Sequence, residues 1–197
     1  MSYLEIFAVI VSLIAVSLTI LRHTWCWYFN IAASVLYGDL FFQYRLYGEV
    51  MLQVIFVLMS VYGLMVWFKT KKVDHDIIVH DLAPKPLLLH MVYAAIFGIV
   101  FGWTLHQFTN AALPILDAQL ASFSLLATYW TSKKYIATWP LWIVVDLIYV
   151  AMFIYKDLLL TAGLYGAFVL MAGYGWYIWQ HAKTRQQQHK RHGLVNM

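Results

Sequence analysis

Apolar residues run through this chain in long stretches, and the polar residues inside them recur at steps of three and four. Seven stretches, at 3–21, 25–42, 49–68, 86–106, 113–131, 138–155 and 158–180, carry few charges. About 20 such residues suffice to cross a bilayer as a helix. The pattern therefore predicts an all-α membrane protein with seven transmembrane helices. The links at 22–24, 43–48 and 156–157 are so short that their neighbours must form tight antiparallel hairpins. One link is long and charged, KTKKVDHDIIVHDLAPK at 69–85, and is expected to be a solvated loop. Residues 181–197 form a basic polar tail, expected to be unstructured beside anionic headgroups.

Composition agrees with this picture. Apolar residues make up 63% of the 197 and charged residues only 11%, against about 25% charged in soluble domains. Mean hydropathy is +0.71. A net charge of +4 is too small and too scattered for a nucleic-acid partner, but its distribution sets a topology. Arg45 and Lys156 fall on the side of the N-terminus, and the other eleven Lys and Arg residues fall opposite. Cationic loops stay in the cytoplasm, so the N-terminus is expected outside and the C-terminus inside. The opening MSYLEIFAV lacks the basic n-region and cleavage site of a signal peptide, and the first stretch is expected to be a retained helix. Cys26 stands alone, which excludes an intrachain disulfide, and is expected to be a small buried apolar residue.

A second regularity has a longer period. FVLMSVYGLMVW at 56–67 returns as FVLMAGYGWYIW at 168–179, an offset of 112. Without gaps the match runs back to Trp27 and Trp139 and pairs Ile31 with Ile143, Tyr37 with Tyr149, Phe41 with Phe153, Leu46 with Leu158 and Leu52 with Leu164. Thirteen of 41 positions are identical. Ser12, Leu13 and Ala15 also match Ser124, Leu125 and Ala127. The expected organisation is a three-helix repeat at 1–68, the loop at 69–85, a linking helix at 86–106 and a second repeat at 113–180. Four spans separate equivalent helices, so the repeats run parallel, a transporter design with its site near the midplane. A receptor or scaffold with an old duplication would carry the same repeat.

Residues three and four apart share a helix face. Trp139, Trp142, Asp146, Tyr149 and Phe153 form one polar and aromatic stripe, and Trp27, Asn30, Ser34, Tyr37 and Phe41 form its counterpart. Glu49, Gln53, Phe56, Ser60 and Gly63 line one face of the third span. Thr161, Tyr165, Phe168, Ala172 and Gly175 line the seventh, and Asp117, Ser124 and Thr128 the fifth. These stripes are expected to converge on one pocket built from Asn30, Tyr37, Gln53, Ser60, Asp117, Ser124, Trp142, Asp146, Tyr149 and Tyr165.

An acid in a membrane span costs about 2.5–3.5 kcal/mol on insertion scales and usually faces a cavity or a partner. No Lys or Arg shares the depth of Asp146, which points to a bound cation. A tryptophan face can add about 2 kcal/mol to a desolvated flat cation. A structural reading stays open, with a protonated Asp146 hydrogen-bonded to a neighbouring helix. Trp139, near a span end, is open to a reading as an interfacial belt residue. Asp39 and Glu49 lie near the outer ends of their spans and are expected to be wet. GIVFG at 98–102 is a GxxxG pattern suited to helix packing across a subunit interface. The eight histidines lie mostly at span ends or in tails, and no inward pair suits zinc or haem. With no phosphate-cradling loop either, an enzyme is not expected.

NIAASVLYGDLFFQYRLY, MLQ, the YG-x₃-W element, DAQLASFSLLA and KYIATWPLW together resemble the PnuC family of bacterial vitamin transporters over nearly the whole chain. The resemblance implies a three-one-three helical bundle similar to the SWEET transporters, located in the bacterial inner membrane. It also implies facilitated diffusion of a vitamin, trapping by a cytoplasmic kinase, and a homotrimer. Nicotinamide riboside carriers of the family usually show Asn at the positions of Asp146 and Ser60, and a glutamate-containing segment where this chain reads LLLTAGLYGAF. Those departures make thiamine the expected substrate, its cationic ring facing Asp146 and Trp142. Nicotinamide riboside is the alternative and riboflavin ranks third. No cofactor is expected. Asp117 and Asp146 leave proton coupling open.

Overall fold

The computed structural model describes residues 3–43, 47–74, 77–108, 114–155, 157 and 159–195. Arg45, Leu46, Lys156 and Leu158 lie outside the described residues. Seven helices stand among the described residues: α1 (Tyr3–Ile20), α2 (Cys26–Gln43), α3 (Tyr47–Asp74), α4 (Pro84–Phe108), α5 (Pro114–Ser132), α6 (Thr138–Tyr155) and α7 (Leu159–Val195). Proline opens α4 and α5, where its missing N–H costs no helical bond. α1, α3, α4 and α6 are long and apolar enough to cross a membrane by length and composition. α2 and α5 are more polar, since they carry Asn30, Ser34, Asp117, Ser124 and Thr128. Outward-facing side chains such as Phe7, Ile10, Leu58, Phe97 and Leu170 leave an apolar exterior.

Two helices outrun their expected ends. α3 continues past Phe68 to Asp74, and α7 continues through the basic segment to Val195. The expected unstructured tail is thus helical. Its Gln, Lys, Arg and Ala residues are good helix formers, and tertiary anchors fix its first turns. The Gln186 amide accepts from Val79 N and donates to Ile77 O, both at 3.4 Å, and Lys183 pairs with Asp81. Residues 77–82 therefore lie across the end of the bundle. Arg22 Nη1 also donates to Ile77 O at 3.0 Å, and a parallel bridge joins His80 to Tyr135. Alanine at Gln186 removes two long bonds, so anchorage should weaken by only about 1 kcal/mol. Amide exchange at Val79 and His80 should quicken to match. Unchanged exchange would mean that the bridge and Arg22 suffice.

The offset of 112 reappears in backbone detail. α1 and α5 both end in a left-handed residue, Arg22 (φ 57°) and Lys134 (φ 62°). The bonds His23 N to Leu18 O (2.8 Å) and Arg22 N to Thr19 O (3.0 Å) close α1. Tyr135 N to Trp130 O (3.0 Å) and Lys134 N to Thr131 O (2.9 Å) close α5 in the same way. This is the Schellman closure, usually made with glycine. A non-glycine residue pays roughly 1–2 kcal/mol there, offset here because each cation has work to do. Arg22 holds Ile77, and Lys134 Nζ donates to Thr70 Oγ1.

Helix contacts follow the same repeat. α1 packs on α2 and α2 on α3; α5 packs on α6 and α6 on α7; α4 lies on α5. Between the triplets, the backbone of α3 approaches α5 and that of α1 approaches α7, while those of α2 and α6 stay apart. The GxxxG pattern serves packing within the chain. A Cβ at Gly98 would come within 2.7 Å of the Gln119 amide, and one at Gly102 within 2.8 Å of Ile115 Cα. Gln119 Nε2 and Ser122 Oγ then donate to the carbonyls of Ala95 (3.0 Å) and Ala94 (2.7 Å) on α4.

Candidate functional site

The gap between α2 and α6 is a cavity of about 1100 Å³. Both stripes predicted for these helices line it in full, from Trp27 to Phe41 and from Trp139 to Phe153. A helix that turns one face to a cavity and the other to packed neighbours must place its polar residues at steps of three and four, as here. α3 adds Glu49, Gln53 and Phe56, α5 adds Asp117, Ser124 and Thr128, and α7 adds Tyr165, Phe168 and Ala172.

Nine of the ten predicted pocket residues are thereby brought together: Asn30, Tyr37, Gln53, Asp117, Ser124, Trp142, Asp146, Tyr149 and Tyr165. Ser60 is the exception, buried at 2% exposure and absent from the lining. The reason lies one turn further on, where the Trp27 indole rests on Gly63. At that level the interior is filled by rings rather than open. Trp139 is likewise no belt residue, being 2% exposed on the cavity floor. Ser12 and Thr19 of α1 and Phe101 and Leu105 of α4 also line the cavity, unforeseen. Ser12 and Thr19 were readable, for they stand 112 residues before Ser124 and Thr131; α4 offered no such signal.

The floor is closed by four tryptophans in two equivalent pairs. Trp27 meets Trp67 edge to face at 5.5 Å and 90°, and Trp139 meets Trp179 at 5.3 Å and 89°. Among the described residues the indole N–H groups of Trp27 and Trp139 meet no hydrogen-bond partner, and perpendicular ring contacts suit electropositive ring edges. Away from the floor, the cavity reaches Glu49 and Asp117 in the first turns of α3 and α5. Acids are favoured there by the helix dipole. Glu49 is exposed at this end.

Aromatic rings form the walls between floor and mouth. Tyr37 stacks on Phe41 (6.1 Å, 24°) as Tyr149 stacks on Phe153 (6.0 Å, 16°), and Tyr165 lies 4.7 Å from Tyr149. The hydroxyl of Tyr37 lies beside Ser12, and that of Tyr149 beside Ser124. Asn30 Nδ2 donates to Cys26 O at 3.0 Å, which fixes its amide. Three carboxyls line the cavity, Glu49, Asp117 and Asp146, and the described lining contains no Lys, Arg or His. Asp146 is 5% exposed, and no cation among the described residues pairs with it. A buried Asp146 beside ring faces, in a described lining that holds no Lys, Arg or His, favours a flat organic cation.

A bundle of apolar helices around a cavity lined by acids and aromatic rings has the build of a small-molecule membrane transporter. The chain belongs to the nicotinamide mononucleotide transporter family, whose sequence profile matches residues 2–181. Its relatives are transporters, not enzymes. The nicotinamide riboside transporter PnuC of Escherichia coli (strain K12) is 22% identical, over 78% of this chain and 74% of that protein. The protein of the same name from Neisseria mucosa is 26% identical, over 63% of this chain and 49% of its own length. The crystal structure of the vitamin B3 transporter PnuC superimposes with a TM-score of 0.75 at 24% identity, covering 93% of this chain and 83% of that one. At that identity the likeness establishes the fold. The expectation of thiamine finds no support here, since the named relatives carry nicotinamide compounds in their names.

Proposed function

We propose that this chain carries nicotinamide riboside across the bacterial inner membrane by uncoupled facilitated diffusion, a later cytoplasmic kinase step trapping the vitamin. The observation that carries the reading is a cavity with three carboxyls, stacked aromatic rings and no base in its described lining. Nicotinamide riboside is a flat pyridinium cation, and Asp146 and Trp142 suit its charge and ring as well as they suit thiamine. The mononucleotide adds a phosphate. A phosphate brought among carboxyls, with no Lys or Arg in the described lining to meet it, is strongly disfavoured. The riboside therefore fits better than its phosphate ester. Asn30, Gln53, Ser124 and the three tyrosines are suited to the ribose hydroxyls and the carboxamide.

The architecture proposed is two parallel three-helix repeats joined by α4, with the N-terminus outside. It is supported by the matched helix closures and ring pairs at offset 112, and by the eleven cations on one side. Trimeric assembly follows from the family resemblance alone.

Purified protein in vesicles should equilibrate labelled nicotinamide riboside with no ion gradient imposed. The mononucleotide and thiamine should compete at least tenfold more weakly. Preferred uptake of thiamine would return the substrate to the sequence expectation. Accumulation above equilibrium under a proton or sodium gradient would end the uncoupled reading.

A further inference from the structure

Among the described residues, the backbones of the two helix triplets approach each other where α3 meets α5 and α1 meets α7. At both contacts an indole N–H crosses from one triplet to the other. Trp67 Nε1 on α3 donates to the carbonyls of Thr131 (3.2 Å) and Ser132 (3.1 Å) at the end of α5. Trp179 Nε1 on α7 donates to Ile20 O (3.2 Å) at the end of α1. Trp67 and Trp179 are 112 residues apart, and so are Ile20 and Ser132. Each triplet thus caps an orphan carbonyl at the first helix of the other, just before the left-handed turn. A helix end has no intrahelical donor for such a carbonyl. Both indoles are fully buried, and their rings touch at 6.4 Å.

We propose that Trp67 and Trp179 form a crossed latch that holds this end of the transporter shut, and that breaking their indole–carbonyl bonds limits release of the substrate there. The proposal rests on the transport reading for its consequence, but the latch itself is a matter of geometry. To open a path between α2 and α6 at the floor, α3 must part from α5 and α1 from α7. Those movements separate the donor from the acceptor at each crossing. Rings that stay packed within their own triplets, Trp27 on Gly63 and Trp139 on Gly175, do not resist that separation.

Cys26 supplies a reporter. It is the chain's one cysteine, fully buried in the same cluster at the start of α2. Maleimide should label it slowly in the native protein. Phenylalanine at Trp67 or at Trp179 removes the donor but also some ring volume. Benzothienylalanine, introduced by stop-codon suppression, keeps the bicyclic shape and loses only the N–H. Each single benzothienylalanine protein should label roughly five-fold faster, the loss of one such bond. The double replacement should multiply the two effects, and the maximal exchange rate of nicotinamide riboside in vesicles should rise with labelling. Labelling at the native rate in the benzothienylalanine proteins overturns the latch. Acceleration confined to the phenylalanine variants overturns it too, since it would mark a packing defect. Faster labelling in a protein whose native form moves no nicotinamide riboside would sink the transport reading and leave the latch standing.

Discussion

Alanine at Gly175 should destabilise the protein by about 1–3 kcal/mol, the usual range for overpacking, and alanine at Gly63 should do the same. A Cβ at Gly175 would lie 2.6 Å from the Trp139 ring, and one at Gly63 would lie 2.3 Å from the Trp27 ring. Real contacts of that kind do not occur, so something must shift. The rings cannot swing away as a lysine would, since each is buried and set edge-on against Trp67 or Trp179. Alanine's better helix propensity returns at most about 1 kcal/mol, so the clash wins. Gly163, Gly166 and Gly173 are the controls, because a Cβ there meets nothing within 4 Å. Alanine at those sites should be neutral or slightly stabilising. Thermal midpoints should fall by roughly 2–4 °C per kcal/mol for a chain of this size. Equal midpoints for Gly175→Ala and Gly173→Ala would refute the seat.

The same two glycines show what the sequence could and could not reveal. YG-x₃-W stood out because it occurs twice, but its meaning depends on which atoms lie across from it. In the fold, the glycine seats a tryptophan of α2 or α6, while the tryptophan four residues on reaches the other triplet. Long-range partners of this kind leave no periodic trace. The stripes of α2 and α6 were legible for the opposite reason, since one helix alone sets their spacing. Ser60 fitted the same spacing and failed, because depth along the bundle decides whether an inward residue meets space or a ring. The helical course of 181–195 was missed on charge, which says nothing of a Gln186 that grips a distant loop. α4 seemed a plain connector because it has no counterpart at the offset, yet Phe101 and Leu105 close one side of the cavity.

Asparagine at Asp146 should weaken binding of nicotinamide riboside by about 1–3 kcal/mol, the cost of losing a charged partner, or roughly 5- to 150-fold in affinity. The change keeps the shape and hydrogen-bonding capacity of the side chain while removing its charge. Asp146 has 112 residues before it Ser34, a neutral and likewise buried counterpart on the facing helix, so the charge is a departure from the repeat rather than a requirement of it. The carboxyl lines the cavity beside Trp142 and Tyr149, and no protein cation among the described residues neutralises it. A structural acid would show its loss in stability, and a counter-ion would show it in discrimination. The decisive comparison is therefore between nicotinamide riboside and its neutral 1,4-dihydro form, measured by calorimetry on native and Asp146→Asn protein. The native protein should prefer the cation, and the variant should lose most of that preference with its thermal midpoint nearly unchanged. Equal weakening for both forms, or a large drop in midpoint, would assign Asp146 to the scaffold and leave the preference for a cation to the ring faces of Trp142, Tyr149 and Tyr165.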